Sequence, residues 1–144
     1  EDLLDSETAI LLIAHGSREA KANAELHELG GRLEGVLGRG RVYPCFLEIE
    51  GPTIQEAFQS AMANGARRMI AFPFFLSTGV HVRKDIPEIL TDCLRETEGI
   101  SVSITPALGP DPSLDRIVLE RILSGGKAIE AMDSPAPNES SDSN

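Results

Sequence analysis

Six consecutive apolar residues at positions 9–14, Ala-Ile-Leu-Leu-Ile-Ala, separate an acidic lead from the polar step His15-Gly16-Ser17-Arg18. A run of this length without polar alternation reads as a strand buried on both faces, the kind found in parallel sheets covered by helices on either side. The rest of the chain repeats the pattern. Over residues 17–37, Ala22, Leu26, Leu29, Leu33, Val36 and Leu37 recur at helical spacing despite Gly30 and Gly31. Residues 41–47 form a second β-rich run. Pro52 then falls where the first turn of a helix accepts proline, and residues 53–64 place Ile54, Ala57, Phe58 and Ala61 on one face before Gly65 stops the helix. A third run, 68–74, leads through a glycine-containing loop to a helical face made of Ile86, Ile89, Leu90, Cys93 and Leu94, with Asp85 as its N-cap and Pro87 in its first turn. Residues 100–105 and 114–123 supply a fourth strand and helix across a connection containing Pro106, Pro110 and Pro112.

Four strand-helix cycles predict an α/β fold: one domain with a four-stranded parallel sheet, right-handed crossovers and helices on both faces. A chain of 144 residues, 41% of them hydrophobic, fits one filled core. We place the domain at residues 8–124. Beyond it Gly, Ser, Pro, Asn and acids replace the apolar period, so residues 125–144 read as a disordered tail.

The formal charge of −10 lacks the basic footprint that a phosphate backbone requires, and with 4% aromatics and no Trp there is little to stack bases on. Nucleic acid is therefore not an expected partner. The longest apolar runs are strand-sized, well short of the roughly 20 residues that span a bilayer, so no membrane association is expected either. No charged-then-apolar signal segment opens the chain, which gives a cytoplasmic expectation, while the first residue, Glu1, leaves a trimmed start open. Cys45 and Cys93 form no C-x-x-C pair and read as reduced, small core hydrophobes.

Polar residues break the strand ends in a consistent way. His15 follows the first strand, Glu48 the second, and His81 stands in the loop after the third. Open parallel sheets bind ligands outside the carboxyl ends of their strands, so these three side chains would converge on one cleft. Two imidazoles and a carboxylate can ligate a divalent metal or move protons near neutral pH, since a free imidazole titrates at about 6.5. His27 lies among Glu25, Leu26, Glu28 and Leu29 in the first helix and reads as part of a solvated face. Gly16 and Gly79 allow a close backbone approach or a positive φ. Arg18, Arg83 and Lys84 add local positive charge suited to a polyanionic substrate.

Three stretches carry a family resemblance. They are Leu11-Leu12-Ile13-Ala14-His15-Gly16-Ser17-Arg18 with Asn23 following, Phe46-Leu47-Glu48 with Pro52 and Ala57, and the long run from Pro73 through Ser77-Thr78-Gly79-Val80-His81-Val82-Arg83-Lys84-Asp85 to Pro87. Together they resemble the short CbiX-type sirohydrochlorin chelatases, the class II tetrapyrrole metal chelatases. The resemblance implies a flavodoxin-like three-layer sandwich that forms half of a chelatase, completed by a second copy in a homodimer. It implies His15 and His81 as metal-handling histidines with Glu48 as their acidic partner, and Ser17, Arg18, Gly79, Val80 and Arg83 around the substrate. The reaction it implies is insertion of cobalt, iron or nickel into sirohydrochlorin or a close precursor. Some relatives add a His-rich run or a cysteine cluster; neither occurs in this sequence, so no iron-sulfur cluster and no cofactor beyond the metal substrate are expected.

Two other readings share the same cleft. Histidine phosphatases also place His-Gly after a first strand, but their pattern needs an Arg just before the His, where this chain has Ala14. A tetrapyrrole or metal carrier would use the same ligands without turnover.

Overall fold

The computed structural model describes residues 2–130. It contains β1 (Thr8–Ala14), α1 (Ala20–Leu37), β2 (Val42–Phe46), α2 (Ile54–Ala63), β3 (Arg68–Pro73), a π-helical turn (His81–Asp85), α3 (Ile86–Arg95), β4 (Ser101–Ile104) and α4 (Ser113–Leu123). All strand pairings are parallel, in the order β2-β1-β3-β4. This is the flavodoxin-like order, in which the chain moves outward from β1 to β2 and then returns to β3 on the other side of β1. The chain divides into a larger compact unit through Asp111 and a smaller one beginning at Pro112.

β1 is central because it is apolar at every position that meets a helix layer. Ala9, Leu11 and Ile13 face the core formed with Ile54, Ala57, Phe58, Ile86 and Leu90 of α2 and α3, whereas Ile10 and Leu12 face the layer of Leu26 on α1. Leu11, Leu12 and Ile13 are completely enclosed, each contributing about 1.5–3 kcal/mol relative to exposure. Gly30 explains why a glycine is tolerated inside α1: a Cβ there would lie 2.9 Å from Pro44 Cγ, so its absence lets the helix settle onto β2.

α2 starts with a capping box, Glu56 N donating to Thr53 Oγ1 (3.1 Å) and Thr53 N to Glu56 Oε1 (3.1 Å). Pro52 therefore precedes the cap and does not occupy the first turn, in contrast to the sequence expectation. Gly65, at φ +99°, ends the helix as expected. Cys45 is buried in the core and Cys93 packs partly buried against it, both free, as small hydrophobes do.

Two expectations about the segment before α3 need correction. His81 does not lie in a loop; it opens the π-helical turn that runs directly into α3. Asp85 consequently has helical dihedrals and makes no side-chain capping bond, because the backbone N–H groups a cap would serve are already inside a helix. α4 forms where expected, and its Ile117, Val118, Ile122 and Leu123 are exposed. Gly125 to Glu130 carry no helix or strand; the rest of the expected tail, residues 131–144, lies outside the described residues. Among the described residues no helix is long and apolar enough to cross a membrane.

Candidate metal centre

The strand order places a switch point between β1 and β3, and the carboxyl ends of β1, β2 and β3 deliver the three polar groups there. Backbone pairing extends past the strands to fix them: Leu47 N donates to Ala14 O and Glu48 N to His15 O (both 2.9 Å), while Phe74 N donates to Ile13 O (2.7 Å). Gly16, at φ +102°, follows His15, and a Cβ at that position would collide with the carbonyl oxygen of Glu48. Gly16 thus permits the two backbones to touch and brings His15 opposite Glu48. The expected equivalent role of Gly79 has no such basis here, since a Cβ there meets open space.

The donor atoms of His15, Glu48 and His81 all lie within 4.8 Å of one another, and the two imidazole rings sit edge-on with centroids 5.3 Å apart. Their orientations follow from their other partners. His15 Nδ1 is 3.1 Å from Gly16 O, an acceptor only, so Nδ1 carries the proton and Nε2 the lone pair. His81 Nδ1 lies 2.7 Å from Asp85 Oδ2, which likewise accepts the Nδ1 proton. His15 thus turns Nε2 toward Glu48, and in His81 the nitrogen left free of Asp85 is Nε2. His15 Nε2 and Glu48 Oε2 are 3.7 Å apart, too far for a direct hydrogen bond but suited to two donors on one ion with ligand bonds of about 2 Å.

Asn23 secures the surrounding loops. It is buried, accepts from Ser17 N (2.9 Å), donates to Ser17 O (2.6 Å) and reaches Glu50 Oε2 (3.4 Å), tying the turn after β1 to the turn after β2. The Ser17 hydroxyl accepts from Glu19 N, a local turn bond. Beside the triad a cleft of about 530 Å³ is lined by Ala14, Gly16, Asn23, Leu29, Phe46 and Phe74. Arg18, Arg83 and Lys84 remain exposed, Arg83 and Lys84 in the same π-helical turn as His81. His27 is exposed on α1, its ring 5.9 Å from that of Phe46, in keeping with a solvated face.

A backbone outlier adjoins the triad. Ile49 has φ +70° and Glu50 N donates to Glu48 O across it (2.7 Å), a γ-turn of the strained hand. For a β-branched residue such a conformation costs about 1–3 kcal/mol.

The sequence model of the CbiX family matches residues 9–124. The chain belongs to the CbiX family. It is 37% identical over 113 residues to the chloroplastic sirohydrochlorin ferrochelatase of Arabidopsis thaliana, covering 78% of this chain and 50% of that protein. It is 28% identical over 134 residues to the sirohydrochlorin cobaltochelatase of Methanopyrus kandleri, covering 79% of this chain and 94% of the relative. Among solved structures, the sirohydrochlorin chelatase SirB of Bacillus subtilis subspecies spizizenii in complex with cobalt superimposes with a TM-score of 0.76 at 28% identity, over 82% of this chain and 50% of that one. This CbiX chain thus spans about half the length of the plant and Bacillus relatives and nearly the whole length of the archaeal one.

Sequence reasoning missed two residues that this geometry brings out. The sequence pattern makes Asp85 a helix cap, yet its carboxylate holds His81; a helix beginning at His81 puts the two at i and i+4 on one face. Asn23 belonged to the resemblance without a role, and no local signal marks a buried amide that ties two distant turns.

Proposed function

We propose that this chain is a metal chelatase that inserts a divalent ion, cobalt, ferrous iron or nickel, into sirohydrochlorin or a close tetrapyrrole precursor. The observation that carries this reading is the convergence of His15, Glu48 and His81 at the switch point, with both imidazoles offering Nε2. The names of the plant and archaeal relatives support the substrate class, and solved SirB structures with cobalt and with Fe3+ support a metal-handling role. Imidazole and carboxylate donors accept all three metals, so supply and not ligand type selects among them.

Insertion brings one divalent ion into the ring and releases two pyrrole N–H protons. A neutral imidazole nitrogen has one lone pair and cannot bind metal and proton together, so the roles follow in order. His15 and His81 first hold the ion through Nε2, with Glu48 neutralising part of its charge. As the ring nitrogens take the ion, the freed Nε2 atoms accept the two departing protons and pass them to solvent, to which both rings are partly open. Asp85 and the Gly16 carbonyl keep the rings turned for this throughout. Arg18 and Arg83, with Lys84, attract the peripheral carboxylates of the substrate in an otherwise acidic chain, while Ser17, Gly79 and Val80 line its approach. The metal is substrate, and these steps use no iron-sulfur cluster or other resident cofactor.

A second copy of the chain supplies the other half of the cleft, as the resemblance to the short chelatases implies. The test is turnover: sirohydrochlorin is mixed in excess with the protein and with Co2+, Fe2+ or Ni2+ in turn, and product is followed by absorbance. We expect several equivalents of free metallated product per chain with at least one of these ions. A single equivalent that stays bound would replace the chelatase with a carrier.

A further inference from the structure

Ile49 is in an unfavourable conformation that its own chain does not use for packing. Its φ of +70° centres the γ-turn from Glu48 to Glu50, yet the side chain is 59% exposed and belongs to neither core cluster. The flanking residues are all anchored. Glu48 N is bonded to His15 O, the Glu50 carboxylate is reached by Asn23 Nδ2 and Gly51 N, and Phe46 N is bonded to Pro52 O. A glycine would meet the same backbone demands without strain. An apolar, β-branched side chain is kept there instead, immediately after Glu48. A second exposed apolar residue, Val80 (54%), stands immediately before His81, and Leu76 (70%) precedes it in the same connection.

We propose that Ile49 is a macrocycle-seating residue: an apolar contact beside Glu48 that bears on the flat, conjugated face of a tetrapyrrole, across the polar triad from Val80, which already lines the substrate's approach. This rests on the chelatase reading and adds the group that determines where the ring lies. The chemistry divides naturally. The ring centre must approach Nε2 of His15 and His81, and the carboxylates at its periphery seek cations. The hydrocarbon face between them gains most from apolar side chains next to the metal donors. The strained backbone at Ile49 is then what holds an apolar side chain exposed beside Glu48.

The proposal separates stability from binding, which a purely structural residue would not do. Ile49→Gly removes the strained side chain, so the melting temperature should stay level or rise. The affinity for metal-free sirohydrochlorin, read by absorbance titration, should fall about tenfold, as expected for loss of one buried aliphatic contact. Ile49→Val should retain most of the affinity, and Co2+ binding in the absence of tetrapyrrole should be unchanged in both Ile49 variants. If Ile49→Gly binds sirohydrochlorin as tightly as the parent chain, the seating role is overturned while the chelatase reading stands. If the parent chain itself binds Co2+ but no sirohydrochlorin, the chelatase reading fails and the seating role fails with it.

Discussion

At the scale of single residues, the centre is defined as much by what holds the histidines as by the histidines. The bond from His81 Nδ1 to Asp85 leaves one ring nitrogen available and fixes its direction, the arrangement by which carboxylates commonly orient metal-binding imidazoles. Asp85→Asn keeps the shape but replaces an obligate acceptor with a group that can also donate, so the required tautomer is no longer enforced. We expect Co2+ affinity, measured by titration of the purified variant, to fall by about 10–100-fold with little change in melting temperature. Unaltered affinity would remove Asp85 from the site. His15 and Glu48 were legible in the sequence because each follows the end of a recognisable strand, and His81 because it stands in the connection after the third. Asp85 was not, because its role depends on a π-helical turn whose start carries no cap residue, no proline and no change of hydrophobic period.

At the scale of elements, the strands were the most legible part, since unbroken aliphatic runs such as residues 9–14 have few alternatives to a buried parallel strand. The helix starts were less so: Pro52 has the right residue type for a first turn, but the Thr53–Glu56 capping box wins the position. β2 provides a direct check on the packing. Burial pushes the Cys45 thiol up to about 12 from its ordinary value near 9, and its Sγ faces Leu12 O (3.6 Å). A folded value above the unfolded one means that the thiol's contribution to stability is complete below about pH 9 and is lost as the pH rises towards 12. Cys93, only partly enclosed, is raised by burial and then by Asp92 and Glu96. Alkylation at pH 8 followed by mass spectrometry should therefore modify Cys93 first, with Cys45 protected until denaturant opens β2. Equal rates for the two would contradict the packing of β2 against the core.

At the scale of the whole molecule, the order β2-β1-β3-β4 converts three distant stretches of sequence into one site, because β1 and β3 become neighbours although α1, β2 and α2 intervene. The proposed second copy adds the remaining half of the cleft. Light scattering after size-exclusion chromatography should give twice the 15.5 kDa chain mass, and a monomer that is fully active would remove the second copy from the mechanism. The central claim is that one imidazole from each side of the switch point handles both metal and protons. It is tested most directly by single-turnover absorbance of sirohydrochlorin with Co2+ in His15→Ala and His81→Ala. Each change removes a partly exposed ring from a site outside the core, so both variants should fold normally. We predict that insertion falls at least about 100-fold in each, the scale of losing a group that both positions the reactant and transfers a proton; rates equal to that of the parent chain in both variants would contradict the account.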